Sequence, residues 1–165
     1  MYKELLPKYD QVQQFVEHYR PQSVFDYGCA RGNLITRLKQ DYSFIKTLSG
    51  YDPGNPDYCN APTKVYESLV SCDVIEHFEP DQLDQTLKFM QTLFSRSAYL
   101  LIACYPAKKF LADGRNAHLI IETPDWWFDR VTKQFDQCRV VKRQDYMFPS
   151  KRGPQPEIRL TLEKL

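Results

Sequence analysis

The chain has 165 residues, a length that fits one domain with a proper core. Hydrophobic residues make up 42% and aromatics 14%, which excludes a disordered chain. Lys plus Arg number 22 against 21 for Asp plus Glu, so nucleic-acid binding through bulk charge alone is excluded too. Taken in chain order, Asp10 to Arg20 places Val12, Phe15, Val16 and Tyr19 at helical spacing behind an Asp cap, and Pro21 ends the run. Ser23 to Tyr27 predicts a short buried strand entering a glycine turn. Asn33 to Lys39 resumes helical spacing, and Ile45 to Tyr51 is a second strand stopped by Asp52-Pro53-Gly54. Pro53 to Thr63 is predicted loop, and Ser68 to Val74 a third strand. Pro80 with Asp81 predicts a helix start, with Leu83, Leu87, Met90 and Phe94 as its apolar face. Ala98 to Cys104 is a buried strand by length and flanks. Thr123-Pro124-Asp125 opens a helix carrying Trp127, Phe128, Val131 and Phe135. Cys138 to Tyr146 and Glu157 to Leu162 close the chain as an antiparallel hairpin.

Strands alternating with amphipathic helices predict a parallel sheet covered on both faces, with an antiparallel edge from the closing hairpin. Ligands in such sheets sit at the carboxyl ends of the strands. One domain over residues 1–165 is expected, since no repeat or linker divides the chain. Five cysteines without a C-x-x-C pair argue against a zinc knuckle or redox dithiol, and predict reduced, buried thiols in a cytoplasmic protein. No metal is expected. The Met1-Tyr2-Lys3-Glu4 start is not followed by an apolar run, so no signal peptide is expected.

Loop one, Asp26-Tyr27-Gly28-Cys29-Ala30-Arg31-Gly32-Asn33, sets two glycines between a strand and a helix. There the backbone can approach a ligand closely and helix N–H groups are free to meet it. Loop two ends on Asp52, twenty positions after Gly32, where a carboxylate can accept from the two hydroxyls of a ribose. A dinucleotide enzyme would share this layout, but Ala30 stands where its second glycine belongs.

The run Val24 to Leu34 resembles the first motif of class I S-adenosylmethionine-dependent methyltransferases, and Gly50-Tyr51-Asp52 resembles their second. Cys72-Asp73-Val74-Ile75-Glu76-His77-Phe78 resembles the acidic segment after their fourth strand. The resemblance covers about residues 10 to 135 and is similar to small stand-alone bacterial and phage members. It implies a Rossmann-like three-layer α/β/α sandwich, with S-adenosyl-L-methionine as cofactor. Gly28 and Gly32 would lie against that cofactor, Asp26 near its methionine amino group, Asp52 on the ribose, and Asp73 and Val74 in the pocket. Glu76 and His77 would face the boundary with the acceptor. Two departures stand out. Ala30 replaces the middle glycine, and only twenty residues separate Asp52 from Asp73, so the family's third strand is shortened or lost and its adenine loop with it. Cys59 and Asn60 are the nearest candidates for adenine.

The long connection from Tyr105 to Thr123 suggests an acceptor site. Arg115 and Asn116 are candidates to orient an acceptor, His77 or His118 to take its proton, and Trp126, Tyr105 or Tyr27 to face the methyl group. A small-molecule acceptor is the leading expectation. A nucleic-acid enzyme or binding module is the alternative, using the hairpin, where seven basic residues face three acidic ones from Arg139 onward, Lys151 and Arg152 among them. The chain lacks the Asn/Asp-Pro-Pro-Tyr/Phe run of amino-methylating DNA enzymes and the Pro-Cys pair of cytosine-C5 enzymes. An inactive cofactor-binding partner subunit is the third reading.

Overall fold

Alternation of apolar residues along the strands and stripes along the helices yields ten main elements in the computed structural model, which describes residues 6–151 and 153–165. The reading of the start at Met1 to Glu4 and that of Arg152 lie outside these residues. In order they are α1 (Leu6–Tyr19), β1 (Ser23–Tyr27), α2 (Asn33–Asp41), β2 (Thr47–Tyr51), β3 (Tyr66–Cys72), α3 (Leu83–Met90), β4 (Phe94–Ala103), α4 (Pro124–Gln134), β5 (Cys138–Phe148) and β6 (Gln155–Lys164). Short 3-10 turns occupy Ile75–His77 and Gln91–Leu93.

The strands form one sheet in the order β2-β1-β3-β4-β6-β5. The first four are parallel, and β6 and β5 add the antiparallel edge. Among the described residues no strand forms between Tyr51 and Tyr66, so the strand expected to be shortened or lost is absent and β2 ends the sheet. The chain adds β2 on one side of β1 and then crosses to add β3 on the other. That reversal opens a crevice at the carboxyl ends of β1 and β3.

Period-2 alternation divides the buried residues between two cores, one on each face of the sheet. Phe25, Leu69, Leu100 and Ile102 pack with Leu87 of α3 and Trp127 and Val131 of α4. Val24, Val70, Tyr99 and Leu101 pack with Val12, Phe15 and Val16 of α1 and Leu38 of α2. At the start of α4 the Thr123 side chain accepts a hydrogen bond from the Trp126 N–H, and Pro124 occupies the first turn, where no N–H is missed.

Three local expectations are corrected. Asp10 does not cap α1 but lies inside it, because the helix already runs from Leu6. Pro80 does not start α3: a turn closed by the Gln82 N–H on the Glu79 carbonyl precedes it, and the helix opens at Leu83. Phe94 does not extend the α3 stripe but opens β4, because the turn at Gln91–Leu93 ends the helix first. The cysteines are all free; Cys29 and Cys104 are buried as expected, but Cys72 and Cys138 are half-buried and Cys59 is exposed. No helix of the described residues is long and apolar enough to cross a membrane.

Candidate functional site

A cavity of about 420 Å³ between α1 and the β5–β6 hairpin, lined by Phe15, Tyr19, Tyr99 and Thr161, involves none of the loop residues singled out above. The crevice predicted by the strand order holds a larger one, of about 570 Å³. Tyr27, Gly28 and Ala30 line it from the end of β1, and Tyr51, Asp52 and Pro53 from the end of β2. Asp73, Val74, His77, Phe78 and Glu79 enter after β3, and Gln82, just before α3, and Thr86 of α3 close it.

Loop one is held by backbone geometry. Gly28 has φ +84, and a Cβ there would come within 2.2 Å of Val74 Cγ2. Only glycine lets the Val74 side chain reach the loop. Gly32 has φ +71 and would meet the Tyr58 hydroxyl at 2.3 Å. It begins α2 without a side-chain cap, leaving first-turn N–H groups open. Ala30, at the middle glycine position, also adopts a left-handed conformation, with φ 48. The turn therefore keeps the glycine backbone shape and carries one methyl group more.

Asp52 joins the two loops. Its Oδ2 accepts from the Ala30 N–H at 2.9 Å and its Oδ1 from the Gly54 N–H at 2.8 Å. Each oxygen keeps a further lone pair. Asp26 is buried in β1, and does not line the cavity. Burial, with the Asp52 charge second, pushes its carboxyl up to about 7. Gly32 likewise lies off the cavity lining, against Tyr58.

Asp73 has a left-handed backbone, with φ 55, and pairs with Lys8 of α1, which also lies 3.6 Å from Glu157. Its Oδ1 is buried without a hydrogen-bond partner among the described residues. Glu76 is fully buried. Its Oε1 accepts from the Ala103 N–H at 3.2 Å, and burial pushes the carboxyl up to about 8. His77 is exposed and His118 buried, yet their rings meet edge to face with centroids 4.8 Å apart. Burial lowers the His118 pKa below the ordinary imidazole value.

The remaining acceptor candidates are dispersed. Asn116 does not face the cavity: its Oδ1 accepts from the Ala107 and His118 N–H groups, and its Nδ2 donates to the Ala107 carbonyl. It positions the loop that carries His118. Arg115 is exposed and paired with Asp113 and with both oxygens of Glu79. Trp126 packs against Trp127 and Arg130 and borders a separate cleft with Leu119 and Ile121. Cys59 and Asn60 are exposed and off the cavity lining.

Several residues in or beside the cavity escaped sequence reasoning. Tyr51 and Phe78 join Tyr27, which was expected to face the methyl group, in an aromatic wall, with Tyr27 5.4 Å from Tyr51 and 6.2 Å from Phe78 between ring centroids. Aromatic residues closing two adjacent strands were the available signal for it. Lys8 and Tyr58 had none, because their partners lie 65 and 26 positions away in the chain.

No family model and no curated protein matches the sequence. Solved structures do. The methyltransferase domain of bacterial CtHen1 is similar with a TM-score of 0.65 at 14% identity, over 96% of this chain and 97% of that one. The N-methyltransferase NodS from Bradyrhizobium japonicum, in complex with S-adenosyl-L-homocysteine, is similar with a TM-score of 0.63 at 11% identity, over 96% and 86%. Coclaurine N-methyltransferase, bound to N-methylheliamine and S-adenosylhomocysteine, gives 0.67 at 12% identity, over 94% and 70%. With this sheet order and these neighbours, the chain has the class I Rossmann-like methyltransferase fold.

Proposed function

We propose that this chain is an S-adenosylmethionine-dependent methyltransferase acting on a small molecule. The observation that carries the reading is the convergence of Gly28, Asp52, Asp73 and Val74 on one cavity at the strand reversal. The cofactor supplies a methyl group on a positively charged sulfur. Asp52 holds loops one and two together and has lone pairs left for ribose hydroxyls. Asp73, paired with Lys8, keeps one carboxylate oxygen without a hydrogen-bond partner among the described residues, an acceptor suited to an ammonium group. The wall of Tyr27, Tyr51 and Phe78 offers a flat apolar surface for a purine, in place of the lost third-strand loop. Asp26 sits behind loop one as a buried carboxyl rather than as a direct ligand.

Glu76, His77 and His118 form the polar group beside this cavity, on the side assigned to the acceptor. Methyl transfer is an in-line displacement, so much of the work is positioning, and a base is needed only for an oxygen or neutral nitrogen acceptor. Relatives in fold support a small acceptor: one is bound to N-methylheliamine and another to 1,6-didemethyltoxoflavin. The nucleic-acid alternative rests on the hairpin, three of whose basic residues are engaged within the fold. Arg139 pairs with Glu163, Arg143 with Asp125 and Asp145, and Arg159 with Glu157.

Titration calorimetry with S-adenosylhomocysteine tests the reading. The expected dissociation constant is on the order of micromolar, weakened about 10- to 100-fold by Asp52→Ala through loss of charged hydrogen bonds. Absence of heat at millimolar ligand would sink the proposal.

A further inference from the structure

Glu76 is a fully buried carboxylate whose Oε2 has no hydrogen-bond partner among the described residues. Nor does any lysine or arginine among them pair with it; the ion-pair neighbour is His118, whose Nε2 lies 4.0 Å from Glu76 Oε1. A buried carboxyl oxygen without a partner is costly, and a bound cation would supply one.

Two histidines are set to help supply its ligands. His77 Nδ1 lies 2.7 Å from the Ala117 carbonyl oxygen, and His118 Nδ1 is hydrogen-bonded to the Tyr105 carbonyl. A carbonyl oxygen only accepts. Each Nδ1 therefore carries the proton, and each Nε2 keeps its lone pair. A backbone carbonyl on the far ring nitrogen is the usual support of a metal-bound imidazole, because it fixes tautomer and ring orientation. One ligand atom from each of Glu76, His77 and His118 lies within 4.8 Å of the others. Asn116 and the Ile120 N–H, which donates to the Glu76 carbonyl, tie the His118 loop down beside the Glu76 turn.

We propose that Glu76, His77 and His118 form a divalent-cation site in the wall of the cavity. Two imidazoles and one carboxylate suit a first-row ion such as Mn²⁺, Co²⁺ or Zn²⁺ better than Mg²⁺ or Ca²⁺. Ligand bonds of ~2.0–2.2 Å set neighbouring donors ~3–3.5 Å apart, so the three side chains close by about an ångström around the ion. Three protein ligands leave further positions open, and His77 borders the cavity. The histidines then hold the ion instead of serving as free bases.

The chemical consequence rests on the methyltransferase reading. An acceptor hydroxyl on an open position loses its proton to water, since the ion lowers its pKa. The resulting oxygen attacks the methyl carbon, forming the O–C bond. The C–S bond breaks with its electron pair left on sulfur, which becomes a neutral thioether. The acceptor class this favours is a small molecule with a hydroxyl able to reach the ion.

The test adds Co²⁺ to metal-stripped, tag-free full-length protein and follows the visible absorption of the ion, with Mn²⁺ binding by electron paramagnetic resonance as a second probe. One equivalent is expected to bind. His77→Ala and His118→Ala are each expected to weaken it roughly 100-fold or more, beyond what loss of a mere supporting contact costs a metal site. His77 is exposed, so its variant should fold whatever happens to a Glu76→Gln variant, and thermal melting verifies this. No spectral change at millimolar Co²⁺ overturns the proposal, as does binding that survives in both histidine variants. S-adenosylhomocysteine binding is measured on the same samples. Cofactor binding without metal binding removes the ion site alone; metal binding without cofactor binding keeps the site and removes the methyltransferase reading.

Discussion

At the scale of single residues, the site depends on backbone shape more than on charge. Gly28→Ala would force a Cβ to within 2.2 Å of Val74 at a φ of +84. It is expected to lower stability by about 1–3 kcal/mol and to weaken S-adenosylhomocysteine binding, both measurable by thermal melting with and without ligand. Asp26 supplies a pH-dependent contribution. Its carboxyl is raised from 3.8 to about 7, first by burial and then by the Asp52 charge. Between these values the folded chain holds a proton that the unfolded chain has released, so stability falls as pH rises through that window. The slope contributed by this group approaches about 1.4 kcal/mol per pH unit. Asp26→Asn is expected to remove this part of the decline, read as the difference between the two proteins in urea unfolding at pH 5 and pH 7. The loop glycines and Asp52 were legible because a turn imposes local demands on residue type. The pairing of Lys8 with Asp73 was not, since nothing local marks which lysine a folded helix will deliver.

Among the elements, α4 was read correctly and α3 only in part, for a physical reason. Thr123-Pro124 sets a helix start by capping and by a fixed φ, both properties of adjacent residues. Thr123→Ala is expected to cost about 1 kcal/mol, and Trp127→Ala, which empties the centre of one core, about 3–5 kcal/mol. Denaturant unfolding of the two variants checks the ordering. At α3, Pro80 satisfied the same local rule but was drawn into a turn closed on the Glu79 carbonyl. Phe94 fits a helical stripe after Met90 and a buried strand equally well, and the 3-10 turn at Gln91–Leu93 decides for the strand. Asn116 was expected at an acceptor and instead pins the loop through three hydrogen bonds.

For the whole molecule, two cores share one sheet, and every strand contributes to their common middle layer. We propose that residues 1–165 behave as a single domain. Thermal unfolding followed by near- and far-ultraviolet circular dichroism should then give one coincident transition. S-adenosylhomocysteine at a hundred times its dissociation constant should raise the midpoint by roughly 5–10 °C. Two separated transitions would refute the single domain. The near-neutral charge is matched on the folded surface, where hairpin arginines are paired with carboxylates.

The amino-acid order by itself determined the alternation of strands and helices, the glycine loop after β1, the acidic end of β2, the antiparallel closing hairpin and a third strand shortened or lost. These follow from period, turn chemistry and the count of residues between motifs, all of them local quantities. The tertiary structure decided which long-range partners meet. It brought His118 across 41 positions to His77 and Glu76, set the aromatic wall of Tyr27, Tyr51 and Phe78 into the cavity, and withdrew Arg115, Asn116 and Trp126 from it. Such meetings depend on how helices and loops pack over the sheet. Spacing along the chain does not encode them, and in that sense the cluster of one carboxylate and two imidazoles is a property of the fold.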